Sequence, residues 1–350
     1  MLTWTNQPYE SMWNHIRLLK YSTNVKKLLT GKLLSNRNFF FSDQELVERK
    51  SRQIAYAISQ ADEYFKAADN VSEITSPLLY FYGMLSLVKA LLVANTQNLL
   101  LDDIKYHGLF TRAINENLKK YVERENEWCI EKEFAVCNEG VLDELTKLVH
   151  NFSFPKHSII LFKDILKLNP ELGDFYTKYY GEPASFLPLY SYDLKTFPFK
   201  LYPATTDKKK VLASFPNIEK HFEVTADLLH GQALVIQSRE YLKEMPNNIG
   251  IYYPIPGGRY LIAGLDYEHE SNTCSYYISP EICDYIGMFI LSNCVRYKQE
   301  LWGMTVSGER DGGFGLVNLF ISIARTRFPN FILSQLFNEK FEYGVAARLM

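Results

Sequence analysis

Three basic side chains in this 350-residue chain stand where charge is out of place. Lys89 is the one charged residue in the apolar run from Pro77 to Ala94, and His107 follows that run in a lone His107-Gly108 pair. Arg296 lies in a second apolar run, ILSNCVRYKQELW, on a helical face shared with Ser292 and with Gln299 or Glu300. A charge inside such a helix must find a partner or reach water. Two readings follow. In one, Lys89 and Arg296 snorkel or pair with a carboxylate such as Asp102, Asp103 or Glu300. In the other, they meet between helices around an anionic ligand, with Tyr80, Tyr82 and Trp302 as walls. The candidate ligand-binding residues are therefore Lys89, His107, Arg296, Tyr80, Tyr82 and Trp302. Arg325 and Arg327 either add a second basic patch or flank a helix terminus.

No established catalytic signature accompanies them. The chain has no G-x-x-x-x-G-K-[ST] phosphate loop, no G-x-S-x-G nucleophile elbow and no HExxH, and its seven histidines are scattered singly. Five cysteines with no CxxC pair argue against a disulfide scaffold and a structural zinc site. No metal and no cofactor is expected, and no catalytic residue is assigned. DYEHE, with Asp266, Glu268, His269 and Glu270, reads most simply as a polar turn, a metal cluster being the alternative. Lys208-Lys209-Lys210 reads as a solvated loop, phosphate binding being its alternative. The general appearance of residues 43 to 95 resembles helical ribonucleases of the HEPN type. Their active site pairs an arginine with a histidine four to six residues later, and no arginine here precedes a histidine at that spacing.

A net charge of -2 and a pI near 6.4 give no overall footprint for nucleic acid. With 47% hydrophobic and 22% charged residues, the chain is expected to fold around a large core. The amino terminus lacks a basic flank leading into an apolar run, which predicts a cytosolic protein. A helix of about 27 Å over residues 77 to 94 would reach across a bilayer. Lys89, the nearby rings of Tyr80, Phe81 and Tyr82, and the lack of a companion span favour a core helix instead. On it Gly83, Leu87, Ala90 and Ala94 form a stripe that lets another helix approach closely.

Apolar spacing predicts two short helices over 9–34 and a helix from a Ser42–Glu45 capping box to about Ala68, paired antiparallel with the central helix. Residues 127–137 read as a strand, followed by a short helix, VLDELTKLV. Further helices are predicted over Ser158 to Leu168 and Leu172 to Tyr180. Strand candidates are 197–202, 233–237, 249–255, 259–265 and 273–278, with a hairpin turn at Pro256-Gly257-Gly258. Pro280 opens a helix reaching Trp302; GERDGG makes a turn; helices over 314–326 and 329–337 are separated near Pro329. The expected fold class is α+β, with mainly helical amino- and carboxy-terminal parts packed together and an inserted mainly β region. Expected regions are 1–120 helical, 121–181 mixed, 182–278 mainly β, and 279–350 helical, packing on the amino-terminal part.

SPLLYFYGMLSLVKALLV, His107-Gly108-Leu109, LSNCVRYKQELW and RTRFPNFIL together resemble the bacterial YaaC-like family, over most of the chain to about residue 337. The resemblance implies a cytosolic bacterial α+β protein but brings no activity or catalytic set with it. The leading functional expectation is a regulatory or interaction protein, binding a nucleotide or another anionic small molecule between helices, or a protein partner, and no membrane. The alternative is an enzyme acting on nucleic acid or nucleotides, such as a toxin-like or phage-defence effector, with a site assembled from distant residues. Oligomeric state is left open.

Overall fold

The computed structural model describes residues 1–35, 44–111, 129–227, 233–239, 242, 244–253, 258–309 and 313–344. Ser42 of the expected capping box, Pro256-Gly257 of the expected hairpin turn and residues 310–312 of GERDGG lie outside them. In chain order the helices are α1 (Pro8–Arg17), α2 (Ser22–Ser35), α3 (Gln44–Asp69), α4 (Ser76–Asn95), α5 (Val141–His150), α6 (Phe162–Lys167), α7 (Asp174–Tyr180), α8 (Lys208–Ser214), α9 (Pro280–Tyr297), α10 (Gln299–Ser307) and α11 (Phe314–Phe337). The fold is α+β. It divides into two compact units: Met1–Ile159 with Glu281–Met350, and Ile160–Pro280.

In the first unit, α3 and α4 pair antiparallel, since Tyr64 meets Tyr82, Gln60 meets Ser86 and Lys50 meets Val93. Helix α4 buries most of its residues and leaves only a half-buried stripe, with Tyr82 and Lys89 on it, so it has no fully solvated face to make it amphipathic. It is long and apolar enough to cross a membrane, yet 72% of its apolar window is buried inside the protein. The expected small-residue stripe has a physical basis at Gly83, where an added Cβ would stand 2.5 Å from the Phe65 ring.

A helix that ends inside protein leaves carbonyls that water cannot reach. Here Lys50 of α3, completely buried, donates from Nζ to the Val93 carbonyl at 2.9 Å and to the Thr96 carbonyl. A cation at the negative end of the α4 dipole adds to these hydrogen bonds. Burial pushes the ammonium down to about 8, which leaves it charged at neutral pH. A second anchor is Asp62, also buried on α3. It accepts from Arg17 Nε at 3.0 Å and from Lys20 and Lys66, each at 2.8 Å, tying the end of α1 to α3. Burial alone would raise this carboxyl, but the hydrogen bonds from Lys20, Lys66 and Arg17 outweigh it and hold it at about 2. Between α11 and α9, Arg327 makes a buried two-pronged pair with Asp284, at 2.8 and 2.6 Å. The terminal strands Leu2–Trp4 and Glu342–Gly344 close the unit as a parallel pair.

The second unit holds a six-stranded antiparallel sheet in the order Phe222–Asp227, Ala233–Ser238, Lys200–Pro203, Phe186–Asp193, Tyr260–Ala263, Ile249–Tyr252. Leu187, Leu189, Leu201, Ile236 and Leu261 pack on one face with Val211 of α8 and Phe215. Phe186–Asp193 and Phe222–Asp227 were not expected as strands; the first carries Pro188 and a bulge between Leu189 and Ser191, which blur its alternation.

Several other expectations are corrected. DYEHE is not a turn: Leu265–His269 is a strand paired with Asn272–Tyr276, and the turn falls on Glu270 and Ser271, both at positive φ. The strand puts Asp266 and Glu268 on one face and His269 on the other, which separates the supposed metal ligands. Among the described residues no group of three or more His, Cys, Asp or Glu is placed to hold a metal ion. Lys208-Lys209-Lys210 begins α8, because the Asp207 side chain accepts from the Lys209 amide at 2.8 Å. Residues 158–168 start as the strand Ile159–Leu161 before α6, and the expected strand over 127–137 is confined, in its described part, to Phe134–Cys137. The helix opening at Pro280 breaks at Lys298, and Pro329 lies inside α11 instead of dividing it. Burial of Phe328, Pro329, Ile332 and Leu333 offsets the roughly 3 kcal/mol that an interior proline costs. Arg325 and Arg327 are consequently mid-helix and individually paired, Arg325 with Asp69 at 3.5 Å.

Lys50→Met, which keeps the apolar stem but strips the α4 carbonyls of their donor, is expected to cost on the order of 1–3 kcal/mol in urea unfolding at pH 7. Asp62 gives an acid-limb signature. Its folded value lies below the ordinary 3.8, so its contribution is complete above that pH and disappears as pH falls toward 2. The wild type should thus lose roughly 2 kcal/mol more than Asp62→Asn across that window, as read from urea midpoints at each pH.

Candidate anion-binding site

Two helical stripes define the site in the first unit. On α4, Tyr82, Ser86 and Lys89 recur at i, i+4 and i+7. Tyr64 of α3 stacks on Tyr82 with centroids 5.7 Å apart, and Ser86 donates to Gln60 at 3.1 Å. On α9, Tyr285, Phe289, Ser292 and Arg296 lie along one stripe. Arg296 donates from Nε to the Ser292 carbonyl at 3.2 Å and from Nη1 to the Tyr82 hydroxyl oxygen at 3.3 Å. Its guanidinium carbon is 6.0 Å from the Tyr82 ring centre and 5.0 Å from that of Tyr297.

His107 reaches the same place from the segment beyond α4. Its ring lies 5.2 Å from Phe289 and 6.2 Å from Phe81, centre to centre. Burial first, then the charges of Arg296 and Lys89, lower its tendency to take a second proton. Among the described residues neither Lys89 nor Arg296 is paired with a carboxylate. The Leu109 amide donates to Nδ1 at 3.3 Å, so in the neutral ring the proton sits on Nε2. Lys89 is half-buried, burial lowers its ammonium, and among the described residues it has no hydrogen bond or ion pair. The carboxylates considered for it are elsewhere: Asp102 is 3.7 Å from Arg49, and Asp103 accepts from the Leu100 amide at 2.9 Å.

The His107-Gly108 pair has a backbone role that explains its composition. The carbonyls of Tyr106 and His107 accept from the Val141 and Leu142 amides at 3.0 and 3.3 Å, and Gly108 accepts from Asn138 at 2.9 Å. Two orphan donors at the start of α5 are thereby satisfied by loop carbonyls. This close approach needs glycine on both sides. A Cβ on Gly108, at φ +81, would lie 2.9 Å from the Leu142 nitrogen; one on Gly140, at φ +138, would lie 2.6 Å from the Tyr106 oxygen. The Tyr285 hydroxyl also donates to the His107 carbonyl, at 3.4 Å.

Of the six residues singled out by sequence, Arg296 and Tyr82 are hydrogen-bonded, His107 packs on Phe289 of the Arg296 stripe, and Lys89 follows Tyr82 by two turns on α4. Tyr80 does not join them: two positions along α4 from Tyr82, it points away and donates to Asp69 at 2.6 Å. Trp302 is buried and donates to the Ile74 carbonyl at 3.0 Å, a structural contact. Sequence reading missed Tyr285, Phe289 and the Gly140 partner. The first two share the helical stripe of Arg296 and carried a signal; the glycine contact joins segments some thirty residues apart and carried none.

These features define an α+β protein whose helical unit brings Tyr82, His107 and Arg296 onto neighbouring segments. The chain belongs to the YaaC-like family, whose family model, described as YaaC-like Protein, matches residues 17–336. No curated protein and no solved structure gives a significant match.

Gly108→Ala is expected to destabilise the fold by about 1–3 kcal/mol, because alanine is strained at positive φ and its methyl meets backbone. His107→Ala, which leaves the loop backbone alone, should cost markedly less in the same urea titration.

Proposed function

We propose that this YaaC-like protein is a cytosolic bacterial regulatory or interaction protein that binds an anionic small molecule, a nucleotide among the candidates, at Lys89, His107, Arg296 and Tyr82. The observation that carries the reading is that Arg296 is held on the Ser292 carbonyl and the Tyr82 hydroxyl while, among the described residues, no carboxylate pairs with it or with Lys89, the two charges that act on the His107 imidazole. Like charges brought together lose stability unless something negative enters, so an anion gains at this site what the empty protein gives up. Lys89 supplies a point charge and Arg296 a planar fork held by Ser292 and Tyr82. Such pre-positioning lowers the ordering cost of binding.

The enzymatic alternative, with His107 as general base toward nucleic acid or a nucleotide, is less well supported. Its Nδ1 already accepts from Leu109, and Nε2 carries the proton.

Binding is measured by thermal unfolding with added adenosine monophosphate and, separately, sulfate at matched ionic strength. The wild-type midpoint should rise with concentration toward saturation. Arg296→Ala and Lys89→Ala should each need at least about tenfold more anion for the same rise, in line with charge-assisted hydrogen bonds of roughly 1.5–3 kcal/mol. Equal stabilisation of wild type and both variants would remove these residues from the proposal, and no stabilisation of the wild type by either anion would refute it.

A further inference from the structure

A line of rings and arginines crosses the surface of the helical unit. On α3, Arg52, Tyr56, Gln60 and Tyr64 recur every four residues and so form one ridge of the helix, with no aliphatic member. The ridge meets α4 twice, where Gln60 accepts from Ser86 at 3.1 Å and where Tyr64 stacks on Tyr82 at 5.7 Å. Tyr82 carries the line to α9, since its hydroxyl oxygen accepts from Arg296, whose guanidinium carbon lies 5.0 Å from the ring centre of Tyr297. The outer rings are open to solvent: Tyr56 is 68% exposed and Tyr297 71%, and Arg52, one turn before Tyr56, is exposed as well. A tyrosine ordinarily buries its ring and shows its hydroxyl, so rings left this open are stacking surfaces. Glu63, the carboxylate beside the ridge, lies 3.8 Å from Lys66.

Going beyond a small anion, and resting on that reading for its Arg296 end, we infer that this line binds a single-stranded nucleic acid, with bases stacked on Tyr56 and Tyr297 and phosphates against Arg52 and Arg296. Cations and π faces follow one another along the line, as phosphates and bases do along a strand. Tyr56 and Tyr64 stand about 12 Å apart along the helix, a reach of several nucleotides at roughly 3.4 Å each when stacked. A duplex keeps the faces of its bases from such rings. A protein partner would need an apolar core at the centre of the contact, where this line has Gln60 and two half-buried tyrosines. The net charge of -2 does not oppose the strand, because charges farther off than about 10 Å are largely screened.

The test is fluorescence anisotropy of the full-length protein with labelled oligo(U) and oligo(dT) of about eight nucleotides, and with a stable GC-rich duplex. The single strands should bind at least about tenfold more tightly than the duplex, and the tighter of the two tells RNA from DNA as the partner. Tyr56→Ala and Tyr297→Ala should each weaken binding about tenfold, while Tyr56→Phe, which keeps the ring, should not. Arg52→Ala should lower the slope of log affinity against log salt by about 0.7, the share of one phosphate contact. Unchanged urea midpoints show that these exposed substitutions leave the fold intact. Binding of neither strand, a duplex bound as tightly, or unchanged affinity in Tyr56→Ala overturns the inference. If adenosine monophosphate stabilises the protein but the oligonucleotides bind no more tightly than it does, the strand falls and the anion site stands. Strand binding that needs Tyr56, with no response to adenosine monophosphate, removes the small-molecule reading and keeps the line.

Discussion

The helical unit depends on the ammonium of Lys50 closing the carboxyl end of α4. An apolar helix surrounded by protein cannot leave its last carbonyls to water, and one buried lysine on the neighbouring helix solves this for Val93 and Thr96 together. The contact also fixes how far α4 slides along α3, and so the level at which Tyr82 meets Tyr64 and Ser86 meets Gln60. Those pairings set where Lys89 emerges. A charge that looks purely structural thus determines the position of one that has no partner among the described residues.

The two lysines show how burial decides the role of a charge. Lys50 is wholly enclosed and finds backbone acceptors; Lys89 is half-enclosed and finds none among the described residues. Asp62 and Asp284 follow the first pattern, each meeting its cations in full, and Arg325 is matched by Asp69. Against this background of neutralised charges, Lys89 and Arg296 have no carboxylate matched to either among the described residues.

Much of the helical architecture was legible because its signals are local. Pro77 and Asn95 bracket α4, Pro280 opens α9, and the apolar stripes of α3 recur at helical spacing. Lys89, His107 and Arg296 were legible as charges in apolar surroundings; the structure sets His107 against Phe289 on the stripe of Arg296, and Lys89 on the stripe of Tyr82. Tyr80 and Trp302 were grouped with them on ring chemistry alone, whereas a two-residue offset on a helix turns a side chain through about half a circle. The interrupted strand at Phe186–Asp193 and the unbroken helix through Pro329 were not legible. Both are outcomes of tertiary packing overriding a local proline signal. The roles of Gly108 and Gly140 were hidden for a different reason, since Gly108 is opposed by Leu142 and Asn138 and Gly140 by the backbone of Tyr106 and Gly108, contacts between segments far apart in the chain.

That mutual contact has a consequence for how the family can diversify. Each glycine is opposed by main-chain atoms, so no side-chain exchange elsewhere can accommodate a larger residue at either position. The loop trace is therefore closed to gradual drift, while the imidazole beside it projects from a backbone that does not depend on its identity. Residue 107 can therefore change its side chain while the loop trace stays as it is, whereas positions 108 and 140 admit no side chain at all.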